Sequence, residues 1–375
     1  MNIRRRLAAG LLLLPLAFVS AACVGVTRPQ GWASPAIDGS SAFILEDKDR
    51  LTALELTDSN TANVRWSFPN DDRSNQEDVD VEAIYARPIV DGDTLYVVGY
   101  SGDLFAVNAS TGDLIRQQDI GGPVVGDIVL DDGQLIMATG DGTLLVVSAE
   151  DFSVVEGWDR AGIPFDDGIW AAPAVSSQFI YVASMSGELV AVDRADGSVE
   201  WTHNHDGAIP TLALLDEGHL FASSLSGEVL ILDPADGEVL HTFEAEDWVW
   251  NTPAFADGIA YFGDFAGNVY ALDITTGTLK WSAPYDGGSK VKAGPVIIDD
   301  VLVLADRQPV VHFIRLSDGV GLNKVPLPVD VGTVRSDLVV REGRALVLTT
   351  DGHLFAADPG AAPGRVDEIT YGGGQ

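Results

Sequence analysis

Between Pro35 and Asp337 one pattern of strands and turns recurs with a period of about 43 residues, and a repeat of that length restricts the available folds more than any other property of the chain. Each unit begins with a short apolar strand at a proline and passes through an acidic-Gly turn. An alternating strand, a small-Gly turn and a further strand follow. An Asp/Thr-Gly turn then leads to a closing strand that often ends in Trp. The unit is clearest in Tyr85 to Arg116, Trp170 to Trp201, Gly207 to His241 and Trp250 to Trp281. The leading position is read as Pro35, Pro88, Pro123, Pro173, Pro210, Pro253 and Pro295, with Asp337 in the eighth unit. Nothing in these units has a helical period, so the expected fold is all-β: an eight-bladed β-propeller of four-stranded antiparallel blades.

The turns support that count. First hairpins carry Asp38-Gly39, Asp91-Gly92, Asp132-Gly133, Glu217-Gly218, Asp257-Gly258 and Glu342-Gly343, pairs that supply the positive φ of tight turns. A second series runs through Ser101-Gly102, Asp141-Gly142, Ser186-Gly187, Ser226-Gly227, Ala266-Gly267 and Asp351-Gly352, and a third includes Thr111-Gly112, Asp196-Gly197, Asp236-Gly237, Thr276-Gly277 and Asp318-Gly319. Runs such as Leu144-Leu145-Val146-Val147 alternate poorly, as expected for sheets covered on both faces. Proline suits the inner edge of a blade, where a missing N–H breaks no ladder bond. Blade seven departs from the pattern, with Arg307-Gln308-Pro309 at its second hairpin, and a polar insertion, Asn70 to Glu82, is expected to be a solvated loop. Either Arg365 to Tyr371 or the segment after Cys23 could supply the outer strand that closes the ring.

Ahead of the repeats, Arg4, Arg5 and Arg6 precede an apolar run, Leu7 to Val19, too short to span a bilayer as a helix and suited to a signal peptide. Ser20-Ala21-Ala22-Cys23 then resembles the lipobox of bacterial lipoproteins, which implies lipidation of Cys23 after cleavage. The expected organisation is a signal peptide at 1–22, a lipidated linker at 23–31, the propeller at 32–371 and a disordered tail at 372–375. The expected location is the envelope: the periplasmic face of an outer membrane, or the surface of a single-membrane bacterium. The formal charge of -34 would be repelled by phosphate backbones and anionic headgroups, so nucleic acid is not an expected partner and the membrane is met only through the lipid. A single Cys excludes an intrachain disulfide.

The segments Ala191 to Trp201 and Ala271 to Trp281, with their Asp-x-x-x-Gly-x-x-x-Trp core, resemble the tryptophan-docking repeat of the pyrroloquinoline-quinone (PQQ)-like propeller superfamily. The resemblance implies that Trp66, Trp158, Trp201 and Trp281 dock neighbouring blades. One branch of that superfamily binds PQQ and calcium on the propeller axis and oxidises alcohols or sugars, often under a vicinal disulfide that one Cys cannot form. The other consists of cofactor-free, lipidated scaffolds of about this length, and it implies no cofactor and an envelope protein partner, the barrel-assembly machinery where an outer membrane exists. A surface lipoprotein binding carbohydrate or another small ligand is a further alternative.

The residues show no catalytic constellation and no metal set; His203-x-His205 reads as part of a solvated loop. One pattern is a candidate binding rim. Three residues before each leading position stand Trp32, Tyr85, Ile120, Trp170, Gly207, Trp250, Lys292 and Val334. Alternation places these on the same face as Ser34, Arg87, Ala172 and Thr252. Trp32, Tyr85, Arg87, Trp170, Trp250 and Lys292 would then ring one mouth of the central channel, a composition suited to anchoring a protein partner. The competing reading packs these rings between blades.

Overall fold

The computed structural model describes residues 31–57, 60–70, 79, 81–158, 163–215 and 218–372. The expected signal peptide, Cys23, most of the polar insertion and the last three residues lie outside them. Eight blades of antiparallel strands follow one another, and in each the first strand lies innermost and the fourth outermost. The inner strands are Ala36–Asp38, Ile89–Asp91, Val129–Asp131, Ala174–Val175, Thr211–Leu214, Ala254–Ala256, Val296–Ile298 and Val339–Arg341. Blade six adds a short fifth strand, Tyr285–Asp286, beside its third. Arg365–Tyr371 supplies the outer strand of blade eight, settling the closure left open by the sequence, and its end runs parallel to blade one by pairing Thr370 with Thr61 and Tyr371 with Ala62. Arg344 Nη1 donates to Asn60 Oδ1 at 2.7 Å and Arg341 Nε to Gly39 O at 3.1 Å across the same seam.

The apolar runs are explained by double burial. In the strand Asp103–Asn108 the four central residues are all buried. Phe105 and Val107 pack towards blade one, where Phe105 meets Phe68 at 5.4 Å, while Leu104 and Ala106 pack on Met137 and Val147 of blade three. Each such Leu or Phe contributes roughly 1.5–3 kcal/mol by leaving water. The second hairpins also share a cap. Thr139, Ser184, Ser224, Asp264, Asp306 and Thr349 each accept the N–H of the residue four positions later. In blade seven the Asp306 carboxylate takes the Gln308 and Val310 amides and His312 Nε2, so that hairpin closes without glycine.

In blades one to seven a side chain in or beside the fourth strand reaches the third turn of the next blade. The indoles of Trp66, Trp158, Trp201 and Trp281 donate to the carbonyls of Ala109, Arg194, Pro234 and Leu316 at 2.9–3.2 Å. The sequence singled out these four, but Arg116, His241 and Asn323 make the same reach, to Asp151 O, Thr275 O and Gly364 O. The shared requirement is a donor of the right length, which an aromatic motif does not capture. Because His241 fills its site with a smaller ring, His241→Trp is expected to raise stability by about 1 kcal/mol through added apolar burial, read as a higher midpoint in denaturant unfolding. A drop in midpoint would show that the site at Gly277 is already full.

Three repeat alignments are corrected by strand register. The inner hairpins pair Asp91 with Thr94, Asp131 with Gln134 and Arg341 with Arg344, and in blade five Leu214 pairs with Leu220 and the Leu215 amide with His219 O. Counting back from these pairs, the counterpart of Pro88 is Ile128 in blade three, Leu212 in blade five and Leu338 in blade eight, not Pro123, Pro210 and Asp337. Pro123 lies upstream, where its carbonyl accepts the Gly140 amide. A proline is an unreliable marker because any residue can begin an edge strand, whereas the hairpin pairing is fixed by its hydrogen bonds.

Candidate functional site

With the corrected register, the residues three positions before the inner strands' lead include Trp32, Tyr85, Val125, Trp170, Trp250, Lys292 and Arg335. All seven line one open cavity of about 90 Å³ at the mouth of the channel, to which blade five contributes Pro210, Thr211 and Leu212 and not Gly207. The residues two positions on include Ser34, Asp127, Thr252 and Asp337, which line its wall. Between the two rings sit small residues, Ala33, Ala86, Ala171 and Ala293, all buried. Gly126 belongs to the same set, and a Cβ there would lie 2.7 Å from the Ala171 backbone, so the blades pack too closely for a larger side chain. That constraint turns the alternate residues into the channel.

The side chains meet in a continuous chain around the axis. Trp32 and Tyr85 stand edge to face with centroids 4.3 Å apart. Lys292 of blade seven places Nζ 3.3 Å from the Trp32 ring centroid and 5.1 Å from that of Trp250. Trp250 is 5.8 Å from Trp170, the two rings approaching across blade five, which lines the cavity with Pro210, Thr211 and Leu212. Outward from Trp250 lie Phe265, stacked at 6.3 Å, and Trp248, which is 44% exposed. Lys290 Nζ sits 5.4 Å from the Phe265 centroid. Trp170 is 37% exposed and Arg87 is exposed, while Tyr85 is buried and Trp32, Trp250 and Lys292 are partly buried.

Burial and the neighbouring guanidiniums of Arg335 and Arg307 push the Lys292 ammonium down to about 7, against an opposing pull from Asp337. Asp337 is pushed up to about 6, first by burial and then by Asp127, although its carboxylate accepts the Gly294 amide at 2.5 Å. Asp127 is engaged elsewhere: its carboxylate accepts the Arg87 amide at 2.6 Å and lies 3.7 Å from Arg87 Nε. Arg335, Asp127 and Asp337 escaped the sequence reading because blades three and eight were aligned on the wrong residue. Counting from the hairpin pair would have found them. Ile120, Gly207 and Val334, named in these positions from the sequence, are not in the ring.

The mouth therefore offers rings and cations, a composition for contact more than for proton transfer. Among the described residues no three His, Cys, Asp or Glu side chains converge as metal ligands; His205 lies 3.5 Å from Glu228. PQQ does not fit as a buried group. Buried small-molecule sites occupy roughly 300–1,000 Å³, while this cavity holds about 90 Å³ and Lys292 already covers the face of Trp32.

Comparison with known proteins returns a repeat family described as "Outer membrane protein assembly factor BamB", which matches residues 56–203, 156–289 and 205–328. Comparison with curated sequences returns no match. Among solved structures, BamB from Moraxella catarrhalis aligns over 86% of this chain and 92% of its own, with 19% identity and a TM-score of 0.65. The computationally designed Ika8 protein aligns over 87% and 96%, with 13% identity and a TM-score of 0.71. Quinohemoprotein alcohol dehydrogenase from Comamonas testosteroni aligns over 88% of this chain and 71% of its own, with 13% identity and a TM-score of 0.64. At these identities the likeness is one of fold.

Proposed function

Because the chain belongs to the family of the outer membrane protein assembly factor BamB, we propose that it is an exported envelope scaffold that acts by protein–protein contact at the mouth of its central channel. Residues 1–22 would be removed on export and Cys23 would carry the lipid tether. The observation that carries this reading is the run of partly exposed rings from Trp32 through Lys292 to Trp250, Trp170, Phe265 and Trp248, since aromatic residues next to cations are the usual anchors of interfaces. A small channel favours it over a buried ligand.

The test replaces Trp170 and Trp250 together with alanine. Trp170 is already partly in water, so the propeller is expected to keep its circular dichroism and a cooperative melt. Crosslinking and pull-down from the native envelope should then recover the barrel-assembly partner at least about tenfold less well than with the wild type. Equal recovery would overturn the reading. A second reading, a PQQ-dependent oxidoreductase, is favoured by the likeness to the quinohemoprotein dehydrogenase. Adding PQQ with Ca²⁺ is expected to give no quinone absorbance and no dye-linked alcohol oxidation; a clear signal would replace the scaffold.

A further inference from the structure

Lys292 is held in an unusual way. Its ammonium lies on the Trp32 ring and near that of Trp250, and among the described residues Nζ makes neither an ion pair nor a hydrogen bond. The charged groups that act on it are Arg335, Arg307 and Asp337, and Asp337 in turn feels the Arg87–Asp127 pair. A methionine or leucine would cover the same rings without meeting like charge. Lys290 adds a further cation at Phe265. These are five of only 22 basic residues in a chain with 56 acids, gathered at one end of the axis. An acidic group would be repelled almost everywhere on this surface and attracted here.

From this juxtaposition, and resting on the scaffold reading, we propose that the channel mouth is a socket for the carboxylate side chain of an acidic loop on a protein partner, with Lys292 and Arg335 receiving the carboxylate and Trp170 and Trp250 covering the apolar flank of the loop. The size of the cavity, about 90 Å³, suits one side chain. Charge-assisted hydrogen bonds give the carboxylate its preference over a neutral isostere. The acidic remainder of the surface then sets the orientation, because a loop displaced from the mouth meets like charge.

The probe is a capped pentapeptide, Gly-Phe-Glu-Phe-Gly, titrated into the full chain at physiological ionic strength while the lysine side-chain and indole resonances are followed; with 5 Lys and 8 Trp in the sequence, both sets are sparse. The expected result is saturable shifts of the Lys292, Trp170 and Trp250 signals. The Gln counterpart of the peptide should bind at least about tenfold more weakly. Lys292→Met and Arg335→Gln, each checked for a native melt, should weaken the Glu peptide similarly. Binding should also tighten as pH falls through about 7 and Lys292 gains its full charge. Equal binding of the Glu and Gln peptides, or no shift at these residues, overturns the socket. Tighter binding of glucuronate than of the peptide overturns it in favour of an acidic sugar. The two readings separate in the envelope pull-down. If the Trp170/Trp250 variant loses the partner and Lys292→Met keeps it, the scaffold stands and the socket falls; if the tryptophan variant keeps the partner, the scaffold itself falls.

Discussion

Replacing Trp281 with alanine is expected to destabilise the propeller by about 3–5 kcal/mol, the cost of removing a large, fully docked side chain and leaving a cavity between blades. Trp281 is only 3% exposed, its indole donates to Leu316 O at 2.9 Å, and its ring lies 5.7 Å from that of Tyr261. Opposite the ring stands Gly319, with φ of 75°, where an added Cβ would sit 2.7 Å from Trp281 Cδ2. Gly319→Ala therefore carries two costs, roughly 1–2 kcal/mol for the left-handed backbone and a clash with the indole. In a Trp281→Ala background the clash disappears and the backbone cost remains. A double-mutant cycle followed by denaturant unfolding should show that difference as a coupling energy of about 1 kcal/mol or more. A loss below about 1 kcal/mol for Trp281→Ala, or strict additivity, would mean that blades are held by their apolar strands alone and the docking contact is incidental.

Lys292→Met is expected to stabilise the fold at neutral and acidic pH. In the unfolded chain Lys292 titrates near its ordinary 10.5 and in the folded chain near 7. Between those values the unfolded state binds more protons, so stability rises with pH across that window, and the penalty is fully present below about 7. A shift of this size corresponds to several kcal/mol. The two indoles return about 1–2 kcal/mol by cation–π attraction, and partial contact with water reduces the penalty further. A net gain of about 1–3 kcal/mol for the variant follows, measured near pH 6.5 and fading towards pH 10. Asp337 does not confuse the result: its pKa is raised to about 6, so its cost develops between about 4 and 6 and is constant above. A gain independent of pH, or a loss near pH 6.5, would show that the ammonium is better solvated than its burial indicates. A stabilising substitution at a site of contact is the usual mark of a position kept for binding.

Much of this was readable along the chain. The hairpin pairs and the cap positions are local demands, met by residues a few positions apart, so each blade announced itself by its own turns. Trp201 and Trp281 were legible for the same reason, since each follows a recognisable Gly turn, and Trp66 and Trp158 were found by the matching place they hold after degenerate turns. Arg116, His241 and Asn323 were not, because their role depends on a carbonyl in the next blade. The misplaced Pro123 and Asp337 show the limit of a one-residue marker: two slipped alignments hid Arg335, Asp127 and Asp337.

By itself the sequence determined an eight-fold repeat of four-stranded units and the residue types at the channel mouth, because spacing and turn chemistry are properties of contiguous chain. Only the tertiary structure decided which of those residues meet. Lys292 belongs to the seventh blade and Trp32 to the first, and their contact at 3.3 Å exists because Arg365–Tyr371 completes blade eight and brings the ends of the ring together. The low pKa of that lysine follows from the same closure, through burial and the approach of Arg335 from the intervening blade.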